Sequence, residues 1–430
     1  MRLGGRLAAA IEVLGEVETR HRPVSDALRD WGQAHRFAGS GDRAAIGNIV
    51  YDALRRKRSA AWLMGDDSPR GLAFGALLLE WGESPASIAA ALDGDRFAPA
   101  PLSDAESADI TARNLETAPD AVRADCPDWC VPLLEDAFGD DWVEEASALA
   151  GRPPLDLRAN TLKSDREKLL RLFARNDARP GALAPHAIRI PPVTGGGRHP
   201  NVQVEPAFQK GWFEVQDEGS QAVASLAGAM SGMQVLDFCA GAGGKTLAMS
   251  AAMENAGQIH AFDADKQRLA PIFDRLRRAG CRNVQAGADP EALAPLTGRM
   301  DLVLVDAPCT GSGTWRRRPD AKWRLTERQL QQRMSEQAAI LDDASRYVKP
   351  GGRLVYVTCS VFREENDGQV VTFLDRSTNF VPVQHKELWR ETLGSSDGMP
   401  RFTTGPGLIL SPARTDTDGF FIAVLRRADG

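Results

Sequence analysis

The stretch of sequence that decides the fold lies at residues 235–252 and reads VLDFCAGAGGKTLAMSAA. A short apolar run, typical of a buried strand, is followed by a glycine-rich turn and by the first residues of a helix. Glycines allow a backbone to turn tightly and to approach a ligand closely, and the start of a helix presents free N–H groups to an anion. The stretch therefore predicts a strand–turn–helix unit at a ligand-binding edge of a sheet.

The sequence around this unit alternates between strand-like and helix-like segments from about residue 219 to residue 430. The strand-like segments are QVLDFCAG, QIHAFDAD, DLVLVDAPC, GRLVYVTCS and GFFIAVLRR, and the helix-like ones include DKQRLAPIFDRLRRAG and ERQLQQRMSEQAAILDDASRYV. Buried strands that alternate with helices are typical of a parallel, doubly wound sheet. We therefore predict an α/β, Rossmann-like domain with a mostly parallel sheet over residues 219–430.

Two segments of different character precede this domain. Residues 1–125 have apolar positions at three- and four-residue spacing and no period-two run, which predicts an all-α domain. Residues 126–218 combine short strands, a basic helix and a Pro/Gly loop, which predicts a small α+β module. The 430 residues are therefore expected to form three domains, at 1–125, 126–218 and 219–430.

Three classes of ligand use a glycine turn of this kind. An NTPase motif fails because Cys239 stands at its first glycine, and a nicotinamide-nucleotide motif fails because Thr246 stands at its third. S-adenosylmethionine remains, since its carboxylate and ribose can use the same turn without a pyrophosphate. The residues that we assign to this cofactor are Cys239, Ala240, Gly241, Ala242, Gly243, Gly244, Lys245, Asp263, Asp289 and Asp306.

Two of these aspartates follow predicted strands. Asp263 comes 19 residues after Gly244 and ends the next strand, which places it to accept the two ribose hydroxyls. Asp289 follows a third predicted strand and is placed to face the adenine. The alternative for either residue is that it only caps a loop.

Two cysteines stand at the ends of later predicted strands, Cys309 in DLVLVDAPCTGSG and Cys359 in RLVYVTCSVFREEN. The ligand crevice of an open α/β sheet lies beyond the carboxyl ends of its strands, so adjacent strands would bring the two thiols together. A disulfide or a metal pair is the alternative. We expect neither, because the chain shows no export signal and no further ligands at metal-binding spacing.

Several motifs occur together in one order, namely DFCAGAGGKT, FDAD, DAPCTGSGTWRRRPDAKW, VYVTCSVFREEN and DGFF. They resemble the successive motifs of the RNA cytosine-5 methyltransferases of the RsmB/Nop2/Sun family. The resemblance spans residues 150–430, and the N-terminal helices are similar, more loosely, to the NusB-like domain that precedes the core in bacterial members. It implies a class I methyltransferase fold with S-adenosylmethionine as cofactor, a small RNA-recognition module and an all-α, NusB-like RNA-binding domain.

The resemblance also implies roles for individual residues. Cys359, in the Thr-Cys motif, is implied to be the nucleophile that adds to C6 of a cytosine, and Cys309, in the Pro-Cys motif, to assist release of the adduct. Asp306 is implied to hydrogen-bond or protonate the base, and Lys245 to lie beside the cofactor and the active site. The family's turn usually reads Ala-Ala-Pro-Gly-Gly-Lys, whereas residues 240–245 contain no proline, which predicts a less rigid turn.

The local charge, rather than the net charge of −6, bears on an RNA partner. Residues 61–151 carry 4 basic and 19 acidic residues, whereas residues 152–210 carry 11 basic and 5 acidic, and residues 314–333 carry seven basic and two acidic. Basic segments of this kind suit phosphates, although a solvated helix end is the alternative. From the charge, and from an Arg-x-Asn segment that resembles the family's, the expected RNA contacts are Arg158, Asn160, Arg316, Arg317, Arg318 and Lys322.

The leading expectation is an enzyme that methylates C5 of an unpaired or flipped cytosine, in 16S ribosomal RNA. The alternatives are the same chemistry on tRNA and a non-catalytic RNA-binding protein of ribosome assembly that keeps the fold. Both thiols are retained, which argues against the non-catalytic alternative. We expect a cytoplasmic monomer without a membrane helix or a metal site.

Overall fold

The structure is a computed structural model that describes residues 1–394 and 398–429, and the chain divides into two compact units. The helical unit comprises Met1–Pro153, Pro192–His199 and Trp315–Leu325. The sheet unit comprises Pro154–Pro191, Pro200–Thr314 and Thr326–Gly430. The helical unit thus includes residues on both sides of the predicted boundary at residue 125 and two later segments of the chain, and that boundary stays a prediction.

The helical unit is built around the apolar faces of its first helices. Leu7, Ile46 and Phe74 lie fully buried in its core, at the helical spacing that the sequence predicts. None of the described helices of the chain is long and apolar enough to cross a membrane. The helices of this unit are Leu3–Arg20, Val24–Ala34, Ser40–Arg55, Lys57–Met64, Pro69–Glu80, Pro85–Leu92, Asp104–Ala112, Asp120–Arg123, Val131–Phe138, Trp142–Ala148 and Pro319–Arg324.

The sheet unit begins with a small antiparallel sheet in the order β2-β3-β1-β4. Its strands are β1 (Leu155–Ala159), β2 (Arg179–Pro180), β3 (Ala187–Ile190) and β4 (Phe213–Val215). Leu157, Ile188 and Phe213 point into one core with the helix Arg166–Leu172, since alternate residues of a strand share a face. This sheet is the α+β arrangement expected for the region, and its first strand begins at Leu155.

Within the described parts of the chain, the larger sheet has nine strands in the order β11-β12-β13-β9-β8-β5-β6-β7, with β10 paired to β13. The strands β7, β6, β5, β8 and β9 run parallel to their neighbours, and β13 runs antiparallel to β9, which confirms the mostly parallel, Rossmann-like sheet. The strands are β5 (Gln234–Asp237), β6 (Gln258–Phe262), β7 (Val284–Gly287), β8 (Met300–Asp306), β9 (Val348–Thr358), β10 (Phe380–Pro382), β11 (Arg401–Phe402), β12 (Leu408–Leu410) and β13 (Phe420–Arg427).

Helices cover the faces of this sheet, and its central strands are apolar because both of their faces are buried. Val235, Leu304 and Val357 are fully buried in the resulting core. The chain runs from β5 to β6 and β7 on one side and returns to β8 and β9 on the other, so the topological switch point lies between β5 and β8. The helices of the sheet unit are Arg166–Leu172, Pro206–Gln209, Glu218–Leu226, Gly244–Ala252, Lys266–Leu269, Ile272–Ala279, Glu327–Ser345, Asp367–Arg376, His385–Leu393 and Pro412–Thr415.

A buried ion network involving Arg189 joins the small sheet to the rest of the sheet unit. The Arg189 guanidinium binds the Asp156 carboxylate through two nitrogens, at 2.7 and 2.8 Å. It also lies 3.2 Å from Glu218 and 2.8 Å from Asp416. Asp156 and Glu218 are almost completely buried, so Arg189 is the cation that compensates their charge.

We predict that Arg189→Met destabilises the protein by about 3–5 kcal/mol, because it leaves buried carboxylates without their cation. Urea unfolding followed by circular dichroism measures the change. Arg179→Met is the matched control, since Arg179 is the cross-strand partner of Arg189 and is exposed. Equal losses of stability in the two variants would contradict the assigned role of the network.

Candidate active site

The carboxyl ends of β5, β8 and β9 lie side by side at one edge of the large sheet. In the β5–β8 pair Asp237 is in register with Leu304, and in the β8–β9 pair Asp306 is in register with Val357. The loops that follow these strands therefore emerge together, next to the switch point where open α/β sheets bind their ligands. The predicted glycine turn and both predicted cysteines belong to these loops.

The glycine turn follows β5 and leads into the helix Gly244–Ala252. Gly241 and Gly243 have φ of +49° and +84°, a left-handed conformation that residues with a side chain rarely adopt. A Cβ atom added to Gly243 would lie 2.5 Å from the Ile272 side chain. The glycines are therefore required both by the backbone conformation and by the close packing behind the turn.

Two side chains fasten this turn in the absence of a proline. Asp263 accepts the N–H of Gly241 at 2.9 Å, and Arg275 donates to the carbonyl oxygen of Ala242 at 2.7 Å. The Asp263 carboxylate also accepts the N–H of Asp265 at 2.9 Å and is buried. Asp263 thus holds the loop, as the capping alternative expected, and only its remaining lone pairs are left for a ribose.

Lys245 and Asp306 form an ion pair at this edge of the sheet. The Lys245 Nζ atom lies 2.7 Å from Asp306 Oδ2 and 5.2 Å from the centre of the Phe420 ring. The Lys245 side chain is buried, whereas that of Asp306 is 35% exposed. The pair joins the end of the glycine turn to the end of β8.

Asp237 is a further site residue that the sequence analysis missed. It ends β5, and its Oδ2 atom accepts the hydroxyl of Thr246 at 2.6 Å. Its Oδ1 atom is buried without a hydrogen-bond partner, and burial raises the pKa of Asp237 to about 7. An unpartnered buried oxygen at the start of the turn suits a polar group of a ligand. The signal was an acidic residue directly before a glycine turn.

The two predicted cysteines are brought into contact. Their Sγ atoms lie 3.3 Å apart, and both side chains are free thiols and half-buried. Contact with Cys359, followed by burial, raises the pKa of the Cys309 thiol well above its usual range. Among the residues that the structure describes, no group of three or more His, Cys, Asp or Glu is placed to hold a metal ion.

A buried glutamate holds the loop that carries Cys309. Glu365 is fully buried, and its Oε1 atom accepts the N–H of Thr310 at 2.8 Å and the amide of Gln337 at 3.0 Å. The same amide donates to the carbonyl oxygen of Pro308 at 2.9 Å. These positioning residues were not predicted, although Glu365 belongs to the motif that follows Cys359.

Further hydrogen bonds tie the loops of the two cysteines to each other. Gly313 donates to the carbonyl oxygen of Cys359 at 2.9 Å, and Val361 donates to the Ser312 hydroxyl at 2.9 Å. Gly419, from the terminal DGFF motif, donates to the carbonyl oxygen of Gly313 at 2.8 Å. A Cβ atom on Gly313 would lie 2.2 Å from the carbonyl oxygen of Gly419, so this close approach requires a glycine.

Asp289 and Cys239, which the sequence analysis assigned to the cofactor, take no part in the ion pair of Lys245 and Asp306. Asp289 is exposed, and its Oδ1 atom accepts the N–H of Glu291 at 3.0 Å, so it caps the short 3₁₀ helix Pro290–Leu296, as the alternative expected. Cys239 is half-buried, and burial raises the pKa of its thiol. A raised pKa keeps this third thiol protonated and therefore a poor nucleophile.

Arg158 and Asn160, expected to contact RNA, have structural partners instead. Arg158 is buried and donates to the carbonyl oxygen of Gly244 at 3.1 Å, and burial lowers its pKa to about 10. Asn160 is buried and donates to the carbonyl oxygens of Gly211 and Ala279, each at 2.8 Å. Buried side chains with these partners are not available to phosphates, which corrects the expectation.

The basic segment Trp315–Leu325 lies in the helical unit, and only part of it is accessible. Lys322 is buried with its Nζ atom 3.4 Å from the carbonyl oxygen of Arg55, and burial lowers its pKa to about 8. Arg316 is also buried, so these two expected phosphate contacts are corrected as well. Arg317 is half-buried and Arg318 is exposed.

Comparisons with known protein families match most of the sheet unit. A family model described as 16S rRNA methyltransferase RsmB/F matches residues 226–426, and one described as an RsmF/B-like methyltransferase, ferredoxin-like domain, matches residues 126–193. Together the two matches span more than half of the chain.

Curated relatives give the same grouping. The ribosomal RNA small subunit methyltransferase B of Enterobacter sp. (strain 638) is 34% identical over 303 residues, which are 70% of this chain and 66% of the relative. The same enzyme of Citrobacter koseri gives the same values. The matched part of the chain thus spans slightly less than two thirds of the length of these relatives.

Solved structures share the fold. The crystal structure of PH0851 superposes with a TM-score of 0.72 at 25% identity, over 99% of this chain and 100% of that one. The structure of NSun6 from Pyrococcus horikoshii with SFG gives a TM-score of 0.60 at 22% identity, over 71% of this chain and 99% of that one. The architecture is that of a class I methyltransferase, whose cofactor is S-adenosylmethionine.

We predict that Asp237→Asn reduces the loss of stability between pH 5 and pH 8. In the folded protein the pKa of Asp237 is about 7, against about 3.9 for an unfolded chain, so the folded state favours the protonated carboxyl. Its stabilising contribution is complete below about pH 4 and is lost as the pH rises through 7. Thermal unfolding without ligand tests this, with Asp274→Asn as the control because Asp274 is exposed. Identical pH profiles for Asp237→Asn and the wild type would contradict it.

We also predict that Cys359→Ala lowers the pKa of Cys309, because contact with Cys359 is the main cause of its elevation. Cys309 should then be alkylated at a lower pH, since the thiolate is the reactive form. Alkylation by iodoacetamide between pH 7 and pH 10, with peptide mass mapping, measures this. Cys281→Ala is the control variant, and an unchanged profile of Cys309 in Cys359→Ala would refute the prediction.

Proposed function

Since the chain belongs to the RsmB/F family of rRNA methyltransferases, we propose that it transfers the methyl group of S-adenosylmethionine to C5 of a cytosine in 16S ribosomal RNA. The observation that carries this proposal is the contact of two thiols, 3.3 Å apart, after the adjacent parallel strands β8 and β9. C5 of cytosine is a poor nucleophile, and a thiol that adds to C6 activates it. A second thiol in contact with the first suits the release of the product.

The residues around the glycine turn fit the cofactor. The turn and the first N–H groups of the helix Gly244–Ala252 suit its carboxylate, and the unpartnered Oδ1 of Asp237 suits its ammonium group. Asp263, at the end of β6, retains lone pairs for the ribose hydroxyls. When bound, S-adenosylmethionine supplies an electrophilic methyl group on a sulfonium centre.

The contact between the thiols supports different roles for Cys359, as the nucleophile, and Cys309, as a proton donor and acceptor. Because its pKa is raised, Cys309 stays protonated at neutral pH and can donate its S–H to the Cys359 sulfur, 3.3 Å away. In the proposed reaction the Cys359 sulfur forms a bond to C6, and the electron pair of the C5–C6 double bond makes C5 nucleophilic. The bound cofactor would supply the methyl group to C5, and its sulfur would keep the electron pair of the broken S–CH3 bond. Cys309 then relays the C5 proton to solvent, because it releases its own S–H proton as it takes up the proton of C5. The C5–H electron pair re-forms the C5–C6 double bond, the bond between C6 and sulfur breaks, and Cys359 leaves as the thiolate.

Asp306 and Lys245 are proposed to act on the base. Asp306 is partly exposed at the end of β8, where it can hydrogen-bond N3 or N4 of the cytosine as the adduct forms. Lys245 holds the Asp306 carboxylate in place at 2.7 Å and supplies a positive charge to the site. Both residues precede or border the loops that carry the thiols, which is where a cytosine ring has to lie.

The RNA is proposed to present its cytosine unpaired or flipped, because stacking shields C5 and C6 in a helix. Arg317 and Arg318 are the members of the predicted basic set that are at least partly accessible, and we assign them to phosphates. Bisulfite sequencing of 16S rRNA and of tRNA after incubation with the protein and cofactor identifies the substrate. A converted cytosine in tRNA alone would replace the proposed substrate by tRNA.

We predict that Cys359→Ala abolishes methyl transfer to 16S rRNA and that Cys309→Ala accumulates a covalent protein–RNA adduct. The first variant lacks the nucleophile, and the second retains it but releases product slowly. Transfer of a tritiated methyl group and the mobility of the protein on a denaturing gel measure the two effects. Cys281→Ala should behave as the wild type in both assays, and full activity of Cys359→Ala would disprove the assigned nucleophile.

A further inference from the structure

The helical unit contains an aromatic cleft, a cavity of about 740 Å³ that no part of the proposed mechanism uses. We define it by the side chains Trp31, His35, Phe37 and Phe97, which line it together. Its walls are the helices Leu3–Arg20 and Val24–Ala34 and the loop at residues 94–97. A cleft of this size in which aromatic rings reach solvent is a candidate binding site.

The aromatic rings of the cleft form a connected series. The rings of Trp31 and His35 are stacked, with centroids 4.3 Å apart and planes 18° apart. Phe37 meets His35 edge-on at 5.7 Å. Phe37 is 72% exposed and Phe97 is 63% exposed, although apolar rings of this size are usually buried. Phe37 and Phe97 therefore present exposed rings to solvent, and the stacked rings of Trp31 and His35 beside them are held in place by packing.

Three exposed arginines lie at or beside the rim of the cleft. Arg2 and Arg96 line it and are exposed, and the Arg96 guanidinium carbon lies 4.5 Å from the centre of the Phe97 ring. Arg36, between His35 and Phe37 in the chain, is exposed too. Cations beside exposed rings suit a ligand that carries both a flat ring and an anion.

The two carboxylates that line the cleft already have partners. Glu12 accepts the indole N–H of Trp31 at 2.9 Å. Asp95 accepts the N–H of Gly5 at 3.2 Å and that of Phe97 at 3.1 Å. Both acids keep their negative charge, so the arginines Arg2, Arg36 and Arg96 stand against two carboxylates and exceed them by one charge.

We propose that the aromatic cleft binds an unstacked nucleobase of single-stranded RNA. The base stacks on the exposed ring faces of Phe37 and Phe97, and Arg2 and Arg96 contact the neighbouring phosphates. Single-stranded RNA is held by this combination of aromatic rings and guanidinium groups, whereas an apolar peptide has no group that requires the arginines. The inference rests on the proposed RNA substrate, and it assigns to the helical unit a contact with RNA separate from the methylated cytosine.

The test is the affinity of the full chain for a fluorescein-labelled, single-stranded 12-nucleotide RNA, measured by anisotropy at fixed salt. The double variant Phe37→Ala/Phe97→Ala should bind at least about fivefold more weakly, because it removes the stacking surface. Phe37→Tyr/Phe97→Tyr should bind like the wild type, since tyrosine keeps the ring face. Val204→Ala, at an exposed apolar residue of the sheet unit, is the control and should bind like the wild type.

Equal binding by the wild type and the alanine variant, or weak binding by the tyrosine variant, overturns the inference. If the alanine substitutions leave the RNA affinity unchanged while the wild type still methylates 16S rRNA, RNA binding by the cleft is overturned. The proposed function then still holds. If RNA binding depends on Phe37 and Phe97 but the protein methylates no cytosine, RNA binding by the cleft is supported and the proposed function is overturned. Photo-crosslinks from 4-thiouridine RNA to residues 31–37 or 94–97 would support the cleft, and crosslinks only elsewhere would overturn it.

Discussion

The hydrogen-bonded pairing of β8 with β9 is the constraint on which the candidate site depends. The two strands are parallel, and Asp306 lies in register with Val357, so the loops that follow them emerge at the same edge of the sheet. Cys309 and Cys359 are 50 residues apart in the chain, yet their sulfur atoms lie 3.3 Å from each other. A slip in this register would separate the thiols, because each residue of a strand advances by about 3.3 Å.

Hydrogen bonds from buried polar groups then hold the loops that follow β8 and β9 in position. Glu365 and Gln337 bind the backbone around Cys309, and the contact between Gly313 and Gly419 brings the last strand of the chain against the same loops. A buried carboxylate of this kind is stable only because it has several donors. Asp237 differs, since one of its oxygens is buried without a hydrogen-bond donor, and this difference is the reason why we propose it as a ligand-binding group.

The part of the site that could be predicted was local. The glycine turn was predicted from a strand end followed by glycines, whereas the roles of Lys245 and Asp306 were implied by the resemblance to a family and stay predictions. The mostly parallel sheet followed from the alternation of strands and helices. Glu365 was not found, because a glutamate in a polar run gives no sign that it is buried. The loop-capping roles of Asp263 and Asp289 depend on backbone N–H groups whose positions are set by the fold.

The sequence by itself determined the order of the strands and helices, the glycine turn, and the thiols and charged groups at the ends of β8 and β9, because these depend on residues near one another in the chain. Only the tertiary structure decided which charges are accessible. The sequence predicted RNA contacts at Arg158, Asn160, Arg316 and Lys322, but all four are buried. Arg158, Asn160 and Lys322 donate to carbonyl oxygens of residues distant in the chain. Burial is a sum over such distant contacts, so local charge alone does not reveal it.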